Sequence, residues 1–233
     1  MKLAVLWIVC GVVVSYAGGV QLTPLEGIRM AQASEDIELP APRLTNGHPL
    51  EHALQQRRSV REFSKEALGI EEVSQLVWAA QGITHGDGFR TAPSAGALYP
   101  LELYIVVGNV AGLESGVYKY LPNSHQLIAV VAEDRRRQLA GAALGQSWMQ
   151  DAAVVLAFAA VATRTTKKYG QRGIRYIHIE VGHAAQNVFL QAVALGLGAA
   201  VVGAFDDSKV AQVLSLEKEE QALYLMPVGR KQE

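Results

Sequence analysis

The sequence predicts an α+β fold, a mixed or antiparallel sheet flanked by helices. Three observations carry this. Two apolar runs, 153–161 and 199–205, lack the polar alternation of a half-wet strand and read as strands buried on both faces. Helix and strand signals do not alternate strictly along the chain, as a doubly wound parallel sheet would require. With 233 residues, 50% hydrophobic and 18% charged, the chain has enough apolar surface to fill one large core.

The elements follow in order. Met1 and Lys2 precede an apolar run over 3–14, and Ser15-Tyr16-Ala17 stands before Gly18-Gly19. A basic start, an apolar core and a small-x-small end read as a secretory signal over 1–17. The rival is an uncleaved anchor to Val20, slightly short of the ~20 residues a spanning helix needs. Either reading places the rest of the chain outside the cytoplasm, with a membrane contact only if the segment is retained. Residues 18–48, with Pro24, Pro40 and Pro42, read as a linker or wrapping arm, and 49–233 as the functional domain. Pro49 can open a short helix to about residue 57. Apolar residues at 70, 73, 76, 77 and 80 line one helical face, closed by Gly82. A glycine-rich loop over 85–96 leads into a strand at 101–107. Residues 116–131 read as a hairpin turning at 122–125. A helix is expected over 134–148, although its arginines sit at the end the helix dipole disfavours. After the strand at 153–161 comes a basic loop over 163–173, and a long helix spans 174–195. The strand at 199–205, a helix at 207–216 capped by Asp206 or Asp207, and a strand at 223–228 complete the chain.

Charge and cysteine content exclude several classes. Lys and Arg number 21 against 22 Asp and Glu, so no chain-wide basic field exists to hold nucleic acid. The single cysteine, Cys10, excludes an internal disulfide framework and a cysteine-based zinc site. His178, Glu180 and His183 share the long helix, but the histidines are five residues apart, about 140° around the axis, and read as satisfied polar contacts rather than metal ligands.

Four clusters carry chemistry. In Arg57-Arg58-Ser59-Val60-Arg61, an extended chain would turn Arg57, Ser59 and Arg61 to one side as a phosphate clamp; the plainer alternative is a basic helix end matched to the dipole. Pro93-Ser94-Ala95-Gly96-Ala97-Leu98-Tyr99-Pro100 lets backbone approach a flat ligand. Ser94 lacks the flanking glycine of a hydrolase elbow, since Ala92 stands there. The segment 195–205 is no dinucleotide fingerprint, because Val201 holds the third glycine position and the motif precedes a strand. Its Gly203 is not explained by a helix cap. Arg230 and Lys231 after the last strand could close a phosphate site or merely solvate a tail.

Taken in order, these clusters, with Lys168-Tyr169-Gly170-Gln171-Arg172-Gly173 and Gly182-His183-Ala184-Ala185-Gln186-Asn187, resemble the FMN-dependent nitroreductase superfamily and, within it, the SagB/ThcOx-type dehydrogenase branch. The likeness covers about 49–231. It implies a nitroreductase-like fold and a homodimer with FMN at the subunit interface. It implies that Arg57, Arg58, Ser59 and Arg61 hold the phosphate and ribityl end, completed by Arg230. Pro93, Ser94, Ala95, Gly96 and Ala97 would reach the flavin from the second subunit, and Gly203 and Ala204 would lie near flavin N5. Lys168 and Tyr169 match the pair that serves proton transfer in the azoline dehydrogenases of the branch, with Arg172 alongside. The implied activity is hydride transfer between FMN and a small organic or peptide substrate. The alternatives are an NAD(P)H-dependent nitro or quinone reductase and a redox-inactive exported flavin-binding protein.

Overall fold

The computed structural model describes residues 36–45 and 48–232. The segment expected as a signal, and the arm as far as residue 35, lie outside the described residues. In chain order the elements are β1 (Ile37–Glu38), α1 (Leu50–Gln56), β2 (Leu68–Gly69), α2 (Ile70–Gln81), β3 (Leu101–Val107), β4 (Val110–Ala111), β5 (Gly116–Leu121), β6 (Gln126–Val131), α3 (Arg136–Ala142), β7 (Val154–Val161), α4 (Thr163–Tyr169), α5 (Arg172–Ala194), β8 (Leu197–Ala199), α6 (Asp207–Leu214) and β9 (Glu220–Arg230).

A seven-stranded sheet takes the order β1-β6-β5-β3-β7-β9-β8, and each of its pairings is antiparallel. A small parallel ladder joins β2 to β4. The middle strands are apolar throughout because both faces are covered. Leu103, Ile105, Leu156 and Phe158 turn toward α2 and α5, where Leu76, Val77, Ala184 and Val188 pack on them. Tyr104, Val106, Val155 and Ala157 turn the other way, onto Leu139 of α3 and Val210 and Leu214 of α6. Each fully buried side chain of this size stabilises the fold by roughly 1.5–3 kcal/mol.

A polar knot sits at one point of this sheet, its Lys119, Glu102 and Glu220 shielded and its Glu217 exposed. Lys119 of β5 meets Glu220 at 2.7 Å, Glu217 at 3.0 Å and Glu102 at 3.2 Å, while Tyr104 donates to Glu220 at 2.6 Å. Burial works against the Lys119 ammonium, but hydrogen bonds to Glu220 and Glu217 outweigh it and hold the charge more firmly than in water.

Four expectations are corrected. Residues 163–169 are a helix, not a loop. Their basic, threonine-rich sequence has no apolar stripe, and the helix forms by docking on α5. Gly173 allows this, since a Cβ there would stand 3.1 Å from the Thr166 backbone, and Tyr169 packs edge-on to Tyr176 with ring centres 5.2 Å apart. The helix expected over 134–148 stops at Ala142, because Leu144 and Gly145 both take positive φ, and a 3-10 turn follows at Ser147–Asp151. Its arginine-first start is neutralised locally, as Asp134 takes a two-pronged contact from Arg136. The strand expected over 199–205 shifts to Leu197–Ala199 and frays into an isolated bridge between Val202 and Leu225. The last strand is longer than expected and runs the length of β7.

Candidate functional site

After α1 the chain is extended and pairs along the open edge of β8. Ser59 bridges Ala199, the Val60 N–H donates to the Ala199 carbonyl at 2.8 Å, and Phe63 bridges Lys231. This edge carries the arginine cluster, but not as a one-sided clamp. The Arg57 guanidinium lies 5.3 Å over the ring of Phe189, and that of Arg61 lies 5.6 Å over Trp148. Phe189 belongs to the core on the α5 face of the sheet and Trp148 packs on the opposite face. Each cation takes the nearest aromatic surface, so the pair straddles the edge. Arg58 is exposed and folds back onto the carbonyls of Gln55 and Arg57, and Ser59 is exposed. Among the described residues, none of these three arginines forms a salt bridge, whereas Arg135, Arg136, Arg164 and Arg230 all do.

Gly203 and Ala204 follow the Val202–Leu225 bridge, further along β9 from the arginine cluster and toward the end of β7. Both are exposed, and a Cβ at Gly203 would meet only the Tyr224 ring, at 3.5 Å. Arg230, expected beside the arginine cluster, is engaged elsewhere. Its two terminal nitrogens donate to Glu72 at 2.8 and 2.9 Å, which ties the end of β9 to the first turn of α2.

The second group of residues gathers at the other end of the sheet, where β3 begins and β7 ends. Gly96 has φ of 65°, and a Cβ on it would stand 2.8 Å from Tyr169 Oη and 2.9 Å from Lys168 Nζ. The loop and the Lys168-Tyr169 pair therefore meet within one chain. The loop is strained, as Ala97 and Tyr99 also take positive φ, at 54° and 45°. Tyr99 is fixed from several sides. Its N–H donates to Ser94 Oγ at 2.9 Å, its ring lies under the Arg90 guanidinium at 4.6 Å, and its carbonyl accepts from Arg164 at 3.2 Å. Pro93, Gly96, Ala97 and Lys168 are exposed, and Ser94, Ala95 and Tyr169 are half-buried.

Ser94 leads to a residue whose importance sequence reasoning missed. Its hydroxyl donates to Glu180 Oε2 at 2.6 Å. Glu180 is only 2% exposed, and its other oxygen is buried without a hydrogen-bond partner. Burial pushes its carboxyl up to about 7, against the opposing pull of Ser94 and Arg90. His178 and His183 on the same helix face solvent. The expectation of three satisfied polar contacts thus fails: among the described residues the His178 and His183 side chains have no hydrogen-bond partner, and Glu180 has one on a single oxygen. The signal was in the spacing, since Glu180 falls in the apolar stripe of Ile177, Ala184 and Val188.

Helix α5 separates the two groups. Arg57 sits over Phe189 near its end, and Tyr169 against Tyr176 near its start. Those contacts are thirteen positions apart along the helix, a span of about 20 Å.

A model of the nitroreductase family matches residues 54–230. The chain is 50% identical over 182 residues to MJ1384 of Methanocaldococcus jannaschii, named as a nitroreductase, across 78% of this chain and 91% of that protein. It is 31% identical to the microcin B17-processing protein McbC of Escherichia coli, across 66% of this chain and 59% of McbC. Among solved structures, one named as a nitroreductase from Ralstonia eutropha superposes with a TM-score of 0.74 at 28% identity, over 93% of this chain and 97% of that one. A chain of the E. coli microcin synthetase McbBCD complex superposes at 0.66 with 25% identity, over 93% of this chain and 85% of its own length. An antiparallel sheet flanked by helices, the match over 54–230 and this set of relatives together place the chain in the nitroreductase family.

Proposed function

We propose that this protein is an FMN-dependent oxidoreductase that works as a homodimer, one copy holding the phosphate end of the cofactor and the other facing its ring. The observation that carries this reading is the split of the chemistry between the two ends of α5. Guanidiniums at Arg57, Arg58 and Arg61, which form no salt bridge among the described residues, suit a phosphate, and the exposed backbone at Gly203 and Ala204 suits the close approach of a flat ring. Lys168, Tyr169 and Gly96 form a second group about 20 Å of helix away. A second copy can bring the 93–97 loop and the Lys168-Tyr169 pair of one subunit to the arginine edge of the other.

When bound, FMN would supply hydride acceptance or donation at its N5. The chain's own part is to bind, orient and move protons. Arg57, Arg58, Ser59 and Arg61 would grip the phosphate and ribityl end. Lys168 and Tyr169 would take or deliver the substrate proton, Tyr169 through its hydroxyl and Lys168 through its amine. Lys168 is exposed in the single chain, so the water exclusion that favours such a transfer would come from the partner. Arg230 would join the site only by leaving Glu72.

The substrate class supported by the likeness to McbC is a peptide or small organic molecule. The 50% identity to MJ1384 favours a second reading, a nitro or quinone reductase fed by NAD(P)H. The purified protein should carry the visible absorption of a flavin, and mass spectrometry of the released small molecule should return FMN. A colourless protein that does not take up added FMN overturns the proposal. Steady oxidation of NADPH with a nitro acceptor would select the second reading.

A further inference from the structure

Glu180 is the one carboxyl of α5 that is turned into the core, and its single partner is the serine at the head of the 94–99 loop. Ser94 is the fixed point of that loop. Its hydroxyl oxygen accepts from the Tyr99 N–H, its carbonyl accepts from the Ala97 N–H at 3.0 Å, and its hydroxyl donates to Glu180. Between those anchors stands Gly96, against Lys168 Nζ and Tyr169 Oη. The loop is strained at Ala97 and Tyr99, so it keeps this shape only while its anchors hold.

We propose that Glu180 is the positioning residue of this group: through Ser94 it holds the loop that sets Gly96 against Lys168 and Tyr169, and loss of its proton loosens that loop. The proposal rests on the reading that Lys168 and Tyr169 face a substrate. An ionised Glu180 would leave a charged, buried oxygen with no donor. The least costly relief is to admit water, which means opening the loop that covers it. The charged and titratable groups around Glu180 do not remove this penalty. Arg90, from the glycine-rich loop, is the cation that pulls on Glu180, but it donates to Gln81 at 2.7 Å and is shared with Tyr99, with Glu102 of β3 and against Arg164 of α4. On α5 itself, Tyr176 and His183 stand one turn away.

The sign follows from linkage. A carboxyl held above its ordinary 4.5 binds its proton more tightly in the folded chain, so its stabilising contribution is full below 4.5 and is lost as pH rises through about 7. Hydrogen exchange at the Tyr99 amide reads the loop directly and needs neither cofactor nor substrate. In the wild-type protein, protection of that amide, corrected for intrinsic exchange, should fall severalfold as pH rises through about 7. In Glu180→Gln, neutral at every pH and of the same shape, it should stay high and flat. If that variant does not fold, Ser94→Ala carries the same test read at the Ala97 amide, whose acceptor is the backbone carbonyl of residue 94 and survives the substitution: the pH response shown there by the wild type should be lost. Wild-type protection that is flat across this range, or a response that survives in either variant, overturns the proposal.

A second measurement separates this claim from the one beneath it. In FMN-loaded protein, Glu180→Gln should remove the limb of the turnover pH profile near 7, and persistence of that limb also overturns the proposal. Lys168→Ala should abolish turnover while the Tyr99 amide keeps its pH response. Full turnover in Lys168→Ala would sink the role of the pair and leave the coupling of Glu180 to the loop standing on its exchange data.

Discussion

Gly96 shows how little room the residue scale leaves. Its φ of 65° suits glycine, and the space where a Cβ would go is taken by Lys168 Nζ and Tyr169 Oη. An alanine there strains the backbone by about 1 kcal/mol and pushes both side-chain tips aside. Gly96→Ala should therefore leave the thermal midpoint within a few degrees of wild type. Turnover should fall by about a hundredfold, because displacement of this size disrupts positioning. A steady-state assay beside a melting curve checks both. The chemistry of such residues was legible in the sequence, because guanidinium, ammonium and phenol advertise themselves. Their company was not. Nothing in the order of residues says that Arg230 spends its charge on Glu72, 158 positions away, or that Arg57 and Arg61 rest on rings on opposite faces of a sheet.

At the scale of elements, local pattern served best where packing and propensity agree. The strand at Leu101–Val107 and the hairpin formed by β5 and β6 match the reading of the sequence to the residue, because β-branched and aromatic runs bounded by turn residues leave one solution. Helix α4 was hidden because its reason to exist lies on α5. Short β1, β2 and β4 escaped because a pair of residues carries no period. The joint between β9 and α2 offers a test at this scale. Arg230 and Glu72 form a two-pronged pair with side chains 27% and 17% exposed, and Glu72 also accepts the Gly69 N–H that caps α2. Arg230→Ala should lower stability by about 1–2 kcal/mol, read from the denaturant midpoint. A double-mutant cycle with Glu72→Ala should return a coupling energy of the same sign.

At the scale of the whole molecule, α5 keeps the arginine edge and the Lys168-Tyr169 group apart in every copy, and the proposed homodimer would join them. Mixed dimers test this without knowledge of the true substrate. Arg57→Glu with Arg61→Glu should lose the cofactor, and Lys168→Ala should bind it but not turn over. In a co-refolded mixture, each hybrid dimer holds one site built from two intact halves, so activity should return to about a quarter of wild type. Activity that stays at zero in proven hybrids would mean that each copy builds its site alone. The sheet and its two helical coverings could be read from composition and element order. The pairing of ends that the proposed dimer requires could not, because it would depend on a second chain.

The 23-residue span of α5 has one more implication. A helix of that length is a calliper. Adding one residue anywhere along it would swing one jaw by about 100° and lengthen the gap by about 1.5 Å. Descendants of this protein that take larger or smaller substrates should therefore vary in the loops on either jaw, above all around residues 85–96, and conserve the number of residues in the calliper itself.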